Sequence, residues 1–541
     1  MPHLIRQTMC EIAPQDAFYE ADTVRTMLNF LNRVDSHNQL KEALKQRYGV
    51  FIKSVADPGD SDNPTETYER GEFATMVDTG QIEIVHAGFG QKVVGALATQ
   101  FTEPTQKFTL KCDSTDDTEP AEELIEKHRK AGNYASSMTE VDEMSVQVGS
   151  GGILVESIRG YLSYQKFSPG DVYVHHGDYI VEDGRQRPAD KREMEDASAV
   201  IIRLGCVREN TYSYLAIYSR QEDFEQGRYV IFEGSKQITS VPDVGNKDVV
   251  YEHELGGKPA NPLSWWANKY PDQEIPEFPV IAIQGGTTDS ADVFPITESL
   301  YQSALEYDID ASHINHSAQK IAAGTQVIER DEQSLGYPLP RTVQGPIALF
   351  PGQGFEAKVH DSASSLAAME ILEKSMIADG TSWGVPDYHM VSKDHTMDEP
   401  SGVALAIKTK PLVQGREKRI NKNRPQIRKL FEIEKAYLGI HAENDGGKNE
   451  EGLQLLLQCT QEWDPGDIKL PQNKKEVMET VVSGLDKGIY DTIEAIRITQ
   501  QCTTDQEAMD IYDKMKDRSG EYPPLIKEPE VKKSLTLPSR S

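Results

Sequence analysis

Seven apolar residues, Leu300, Ala304, Tyr307, Ala311, Ile314, Ala318 and Ile321, recur in alternating steps of four and three. That spacing lays one apolar seam along an α-helix, and its mix of small and medium side chains suits long helices packed side by side. At about 1.5 Å per residue the stretch from Ile296 to Ile321 spans roughly 40 Å. Its opposite face carries Glu306, Asp308 and Asp310.

The segment after the rod constrains the architecture further. Residues 324–360 read as short strands and turns ("TQVIE", "GPIALF", "FEAKVH"), and "SSLAAMEILEKSMIADG" then reads as a second helix ending at Gly380. Rod, β knob and rod form a finger projecting from a body. The loop "SWGVPDYHMVSKDHTMDEP" comes next, and "SGVALAIKTKPLVQGREKRINKNRPQIRKLFEIEKAYLGI" reads as a long helix with Pro411 and Pro425 as kinks. Further helices, separated by "SGLDKG", and a Pro- and Lys-rich tail beyond Asp517 close the chain.

Before the rod, residues 18–47 place Val24, Met27, Leu28, Leu31 and Val34 at helical spacing. Two acidic, breaker-rich stretches near residues 60 and 115 read as solvated loops. Residues 145–260 are short β-branched and aromatic runs such as "GILVESI" and "SAVIIRLGCV", separated by turns, so this part is sheet-rich. The fold class is α+β.

Charge is sorted along the chain. The net charge is −30, yet residues 401–440 hold ten of the 57 Lys and Arg and only three of the 87 Asp and Glu. Such acidity excludes wrapping of nucleic acid by the whole surface, because phosphate affinity comes from cations releasing counterions. The five cysteines are widely spaced, with no C-x-x-C pair, which argues against a disulfide framework and a cysteine zinc site. No apolar run approaches the roughly 18 residues of a membrane span, and no signal-peptide core is present, so a soluble, cytosol-like setting and no membrane are expected.

Fragments that resemble catalytic or metal sites have plainer readings. "HAGFGQKVVGAL" misses the G-x-G-x-x-G spacing and reads as a strand-end turn, and "VGSGGIL" as a turn between strands. His175 and His176 are adjacent on a strand and point to opposite faces, so with Asp178 they make a poor metal site. His313 and His316, three apart on the rod, read as a polar helix face. No catalytic residue, metal or cofactor is expected, and no enzymatic activity.

The order of parts, with "SLYQSALEYDIDASHINHSAQ", "GVPDYHM" and "EPSGVAL", resembles the portal proteins of tailed bacteriophages. The resemblance covers most of residues 145–520. It implies a portal fold with a wing at 1–292, stem helices at 293–322 and 363–382, and a clip at 323–362. A tunnel loop at 383–400, a second part of the wing at 401–470, a crown at 471–522 and a flexible tail at 523–541 complete it. It further implies a dodecameric ring at the unique capsid vertex of the virion, assembled in the host cytoplasm. Double-stranded DNA would pass through it without sequence specificity, and a large terminase, head–tail adaptors, major capsid and scaffolding proteins would be partners. Another oligomeric minor head or scaffold-associated protein, and a carboxylate-rich hydrolase, are the alternatives.

On this resemblance the tunnel-loop residues Asp387, Tyr388, His389, Lys393, Asp394, His395, Asp398 and Glu399 face the channel. Duplex DNA carries one charge per roughly 1.7 Å, so dense cations there would grip it, whereas acidic groups leave it free to slide. The basic helix, through Lys408, Lys410, Arg416, Lys418, Arg419, Lys422, Arg424, Arg428 and Lys429, pairs with acidic surface of a neighbouring subunit, touches DNA, or is an ordinary solvated face.

Overall fold

The computed structural model describes residues 21–48, 83–101, 107–112, 117–322, 326–330, 355–359, 363–390, 402–444, 452–466 and 492–500. Strands 52–54 and 67–69 and a few positions beyond 480 are also described, and within 117–322 residues 159, 177–178, 183–184, 191–192, 209–210, 221–224, 236–248, 272–273 and 287–291 are excepted. Two compact units partition the chain: residues 1–395 with 410–468, and residues 396–409 with 469–541.

The first unit opens with helix α1 (Ala21–Leu31), which buries Val24, Met27, Phe30 and Leu31. Val34, expected in the same seam, is 56% exposed. The helix stops because Arg33 and Asp35 take φ of 59° and 56°, a left-handed turn that redirects the chain into α2 (Ser36–Tyr48). Leu40 and Leu44 restore the buried face.

"HAGFGQKVVGAL" is not a strand-end turn. Gly88, at φ 75°, leads into helix α3 (Phe89–Leu97). Gly90 is needed for packing: a Cβ there would lie 2.6 Å from Leu31 Cδ2 and 3.3 Å from Ala304 Cβ. The second acidic stretch is likewise only partly loop. Glu119 opens helix α4 (Glu119–Ala131), with Pro120 and Glu122 in the first turn, where a missing N–H and negative charge are both favoured. Helix α5 (Tyr134–Val148) follows and ends at Gly149, φ 100°, so "VGSGGIL" joins a helix to a strand.

The sheet-rich part is antiparallel throughout. Strand β1 (Lys107–Cys112) stands apart; with β2 (Ser150–Ile158), β3 (Tyr161–Phe167), β4 (Val172–His176), β5 (Ala197–Arg208), β6 (Thr211–Tyr218), β7 (Arg228–Ser235) and β8 (Val249–Glu252), the chain builds most of two sheets. β9 (Val280–Gln284) pairs with β2, giving a three-stranded sheet in the order β9-β2-β3; the other sheet is five-stranded, β8-β7-β6-β5-β4. Leu154, Val280 and Phe278 from the region of the first sheet pack with Ile202, Leu215 and Ile217 of the second. Helix α6 (Pro262–Lys269), capped by the Asn261 side chain, sets Trp266 into the larger core.

The rod is helix α7 (Ser299–Ala322), and its return is α8 (Ala363–Ser382). Between them β10 (Gln326–Arg330) and β11 (Phe355–Val359) pair antiparallel, Gln326 opposite Val359. After a single turn of helix, α9 (Asp387–Met390), comes α10 (Gly402–Asn444), 43 residues long and unbroken through Pro411 and Pro425. Both prolines lie on its exposed side. β12 (Cys459–Asp464) then returns to pair with β1, placing Cys459 opposite Cys112, both without a disulfide. In the second unit, helix α11 (Thr492–Gln500) buries Ala495 and Ile496.

Candidate functional site

The seam of α7 folds inward on its own chain. Leu300, Ala304, Tyr307 and Ala311 are buried, Ile314 and Ala318 are half-buried, and the Ile321 side chain lies outside the described residues. Tyr307 packs against Phe89, the ring centroids 4.8 Å apart and the planes tilted by 42°, and donates its hydroxyl to Asp379 Oδ2 of α8 at 2.5 Å, with Ser375 Oγ at 3.2 Å. Burial, and then the hydrogen bond to the carboxylate, push the Tyr307 phenol up to about 12.

Of the acids expected on the far face, Asp308 is instead buried at 5% exposure. Its carboxylate accepts the Ala87 N–H and meets His86 Nδ1, both at 2.7 Å. Burial raises its pKa against the pull of those two bonds. Ser36 Oγ lies 3.5 Å from His86 Nε2. Serine, histidine and aspartate thus stand in line, but Ser36 is 4% exposed and opens α2, so the arrangement fastens residues 85–87 to the rod. Sequence reasoning missed it because the three residues come from separate segments.

The turn leaving α8 is built by Gly384 at φ 84°, with the Val385 N–H returning to Gly380 O at 2.9 Å. Gly380 has no side chain because Met390 occupies the place: a Cβ would meet its Cγ at 2.7 Å. Lys92 of α3 donates to Met390 O at 2.7 Å. This fixes the entry to the predicted loop. Asp387 is half-buried there and His389 exposed; the Tyr388 side chain and residues Lys393, Asp394, His395, Asp398 and Glu399 lie outside the described residues.

The basic helix divides by face. Lys410, Lys418, Lys422, Arg424 and Arg428 are exposed, Lys429 is half-buried and paired with Glu195 of the same chain, and the Lys408 side chain is outside the described residues. Arg416 and Arg419 are not on this surface: they are 7% and 5% exposed. Arg416 donates to the carbonyls of Gly466 at 2.6 Å, Pro465 at 2.7 Å and Thr99 at 3.3 Å. Arg419 donates to Leu97 O at 2.5 Å and to the Asp142 carboxylate, which also accepts both the Gln100 N–H and side-chain amide at 2.9 Å. Through Leu97 O and Thr99 O the two guanidinium groups also meet carbonyls at and just beyond the C-terminal end of α3, where positive charge is favoured. Their expected contact with a neighbour or DNA is therefore corrected: they are consumed within the chain.

Farther along the same face sits a second buried pair that the sequence reading missed. Glu434, fully buried, accepts from Arg129 Nε at 3.0 Å and Nη2 at 2.6 Å and from the Tyr164 hydroxyl at 2.5 Å. The Arg129 guanidinium lies 4.5 Å from the Phe108 ring centroid and 4.8 Å from that of Tyr134. The signal for it was an acid inside the apolar run "FEIEKAYLGI".

Among the described residues no group of three metal-binding side chains occurs. His176 Nε2 meets Glu193 O at 2.9 Å, His316 is buried on α7, and Asp178 is outside the described residues. No helix among them is long and apolar enough to cross a membrane.

No family model matches the chain, and no curated protein does. Two of the solved structures to which it is similar are chains of gene transfer agent particles. One is a chain in the virion of a native gene transfer agent particle, 10% identical, with a TM-score of 0.32, covering 76% of this chain and 89% of that one. Another is a chain in the neck of an empty gene transfer agent particle computed with C6 symmetry, 9% identical, with a TM-score of 0.29, covering 77% of this chain and 91% of that one. Scores this low do not define a common fold.

Proposed function

We propose that this chain is a structural component of a phage-like particle and, more finely, a portal-type subunit whose ring forms a DNA channel. One observation carries the reading: the antiparallel pair β10–β11 stands in sequence between α7 and α8, α8 returns to α7, and the turn at Gly384 leads into α9, with the long α10 following in sequence. A stem, a clip and a tunnel loop succeed one another in that order in the family the sequence resembles. The wing would comprise the two antiparallel sheets together with α10 from about residue 410, and the crown residues 471–522. No catalytic role belongs to this reading.

The work of such a ring is mechanical. DNA must pass without being held, so the residues nearest the duplex should offer few cations, and charges farther off than about 10 Å are screened at 0.1 M salt. The loop supplies Asp394, Asp398 and Glu399 against Lys393. The exposed cations of α10 are then available to acidic surface on the next subunit, of which a chain at −30 has a surplus. Terminase, adaptors and capsid proteins are the partners this reading assigns.

Negative-stain imaging with light-scattering mass tests it. Rings with a central channel and a mass near twelve chains of 60.4 kDa are expected. A compact monomer at high concentration refutes the reading.

A further inference from the structure

A cavity of about 430 Å³ opens where the end of β2 meets β7, β8 and the last turns of α10. Its wall brings together the Glu156 carboxylate, the rings of Tyr229, Tyr251 and Tyr437, and the apolar side chains of Ile158 and Ile440. The volume falls in the range of small-ligand sites. Tyr229 and Tyr437 are buried, whereas Tyr251 and Ile158 are each 49% exposed, so the floor is aromatic and closed and the mouth apolar and open.

Among the described residues that line this space, Glu156 is the one carboxylate and no Lys or Arg occurs. Glu156 Oε1 accepts from the Tyr229 hydroxyl and Oε2 from Gln165 Nε2 at 2.7 Å, and both donors are neutral. No Lys or Arg among the described residues pairs with it. Each carboxylate oxygen has two acceptor positions, so the group has room for two more donors. Ile440 and His441 bring in the C-terminal end of α10, whose open carbonyls add negative potential. Tyrosine faces are negative as well. His253, also in the wall, has its pKa lowered by burial and adds no compensating charge at neutral pH. An anion entering here would be repelled, and a neutral apolar group would leave the carboxylate unanswered.

We infer that this cavity receives a cationic head on an apolar stem: a guanidinium or alkylammonium group of the kind an arginine or lysine side chain carries. The stem lies against Ile158 and Tyr251 at the mouth, and the head reaches Glu156 between the tyrosines. The same chemistry is offered by a side chain of a protein partner or by a free polyamine. The inference does not depend on ring formation.

The test is calorimetric titration of the full-length protein with N-acetyl-arginine methylamide, N-acetyl-lysine methylamide, putrescine and, as the anionic control, N-acetyl-glutamate methylamide. Saturable binding of the cations and none of the anion is expected. Glu156→Gln should weaken it about tenfold or more, and Tyr251→Ala severalfold. Tighter binding of the amino-acid amides supports a protein side chain as the occupant, and tighter binding of putrescine a polyamine. Equal affinity in wild type and Glu156→Gln overturns the inference, as does no cation binding at all. Should Glu156→Gln fail to fold, unchanged affinity in the surface variant Tyr251→Ala overturns it instead. Arg159, outside the described residues but close to Glu156 in sequence, is removed in a parallel Arg159→Ala protein. Binding seen only in that protein means the chain fills its own cavity, and also overturns the inference.

Discussion

Glu434→Gln is the sharpest single perturbation of this molecule. The carboxylate is fully buried and accepts three hydrogen bonds, two from Arg129 and one from Tyr164. Glutamine keeps the size but removes the charge, and it turns one oxygen into an amide donor facing the Arg129 fork. The guanidinium is left buried, with Phe108 and Tyr134 but no countercharge. Breaking a buried pair from one side costs about 3–5 kcal/mol, mostly as the desolvation of the stranded partner. Removing both charges strands no ion, although the Tyr164 hydroxyl and Gln461 Oε1 each lose a partner, so Arg129→Met with Glu434→Leu should cost less than either single change. The assay is the urea midpoint followed by tryptophan fluorescence, for which Trp266 and Trp463 are reporters in this same core. A loss below about 1 kcal/mol for Glu434→Gln, or a double variant as damaged as the single ones, would refute the reasoning.

Three other outcomes are expected from the geometry. Charge reversal at Lys418, Lys422, Arg424 and Arg428 should leave the fold within about 0.5 kcal/mol per site, whereas Arg419→Ala should cost about 3–5 kcal/mol by stranding Asp142. If the proposed ring forms, normal rings with poor DNA retention in the reversed protein would assign those cations to DNA, and absent rings would assign them to a subunit interface. Burial holds the Asp308 carboxyl above its ordinary 3.8, so the folded chain keeps a proton there that the unfolded chain has already released. Its contribution to stability therefore falls as pH rises from about 3.8 through the raised value; Asp308→Asn should flatten that part of the stability curve, and a steeper fall would contradict it. Burial and then the Cys112 hydrogen bond push the Cys459 thiol up to about 11, leaving roughly a thousandth as thiolate at pH 8. Of Cys112, Cys206 and Cys459, iodoacetamide at pH 8 should label the exposed Cys206 first and Cys459 last, by peptide mass spectrometry; early labelling of Cys459 would count against its burial.

Periodicity was legible where it was read as periodicity. The three-and-four spacing at Leu300, Ala304, Tyr307 and Ala311 predicts the buried face of α7, and the β-branched runs of residues 145–260 predict the antiparallel sheets. The same spacing links Leu412, Arg416, Arg419, Asn423, Ile427, Leu430 and Glu434 on α10, and all are buried. Charge concealed it: a dense basic segment suggests a single surface, although only the helix period separates Arg416 and Arg419 from Lys418 and Lys422. Glycines misled in a related way. Gly88 supplies a positive φ and Gly90 a close helix contact, and sequence alone does not distinguish these uses from a turn between strands. Asp142, Asp308 and Arg129 find their partners hundreds of positions away, which no local pattern records.

That separation also orders events at the ribosome. Arg129 waits for a partner 305 residues later, and β1 for a strand that begins at Cys459. At roughly 5–20 residues per second, the nascent chain carries an unpaired guanidinium and an open strand edge for about 15–60 s. The body of this protein is thus completed only once α10 and β12 have been made, and a chain stopped short of α10 has its core charges made but not matched.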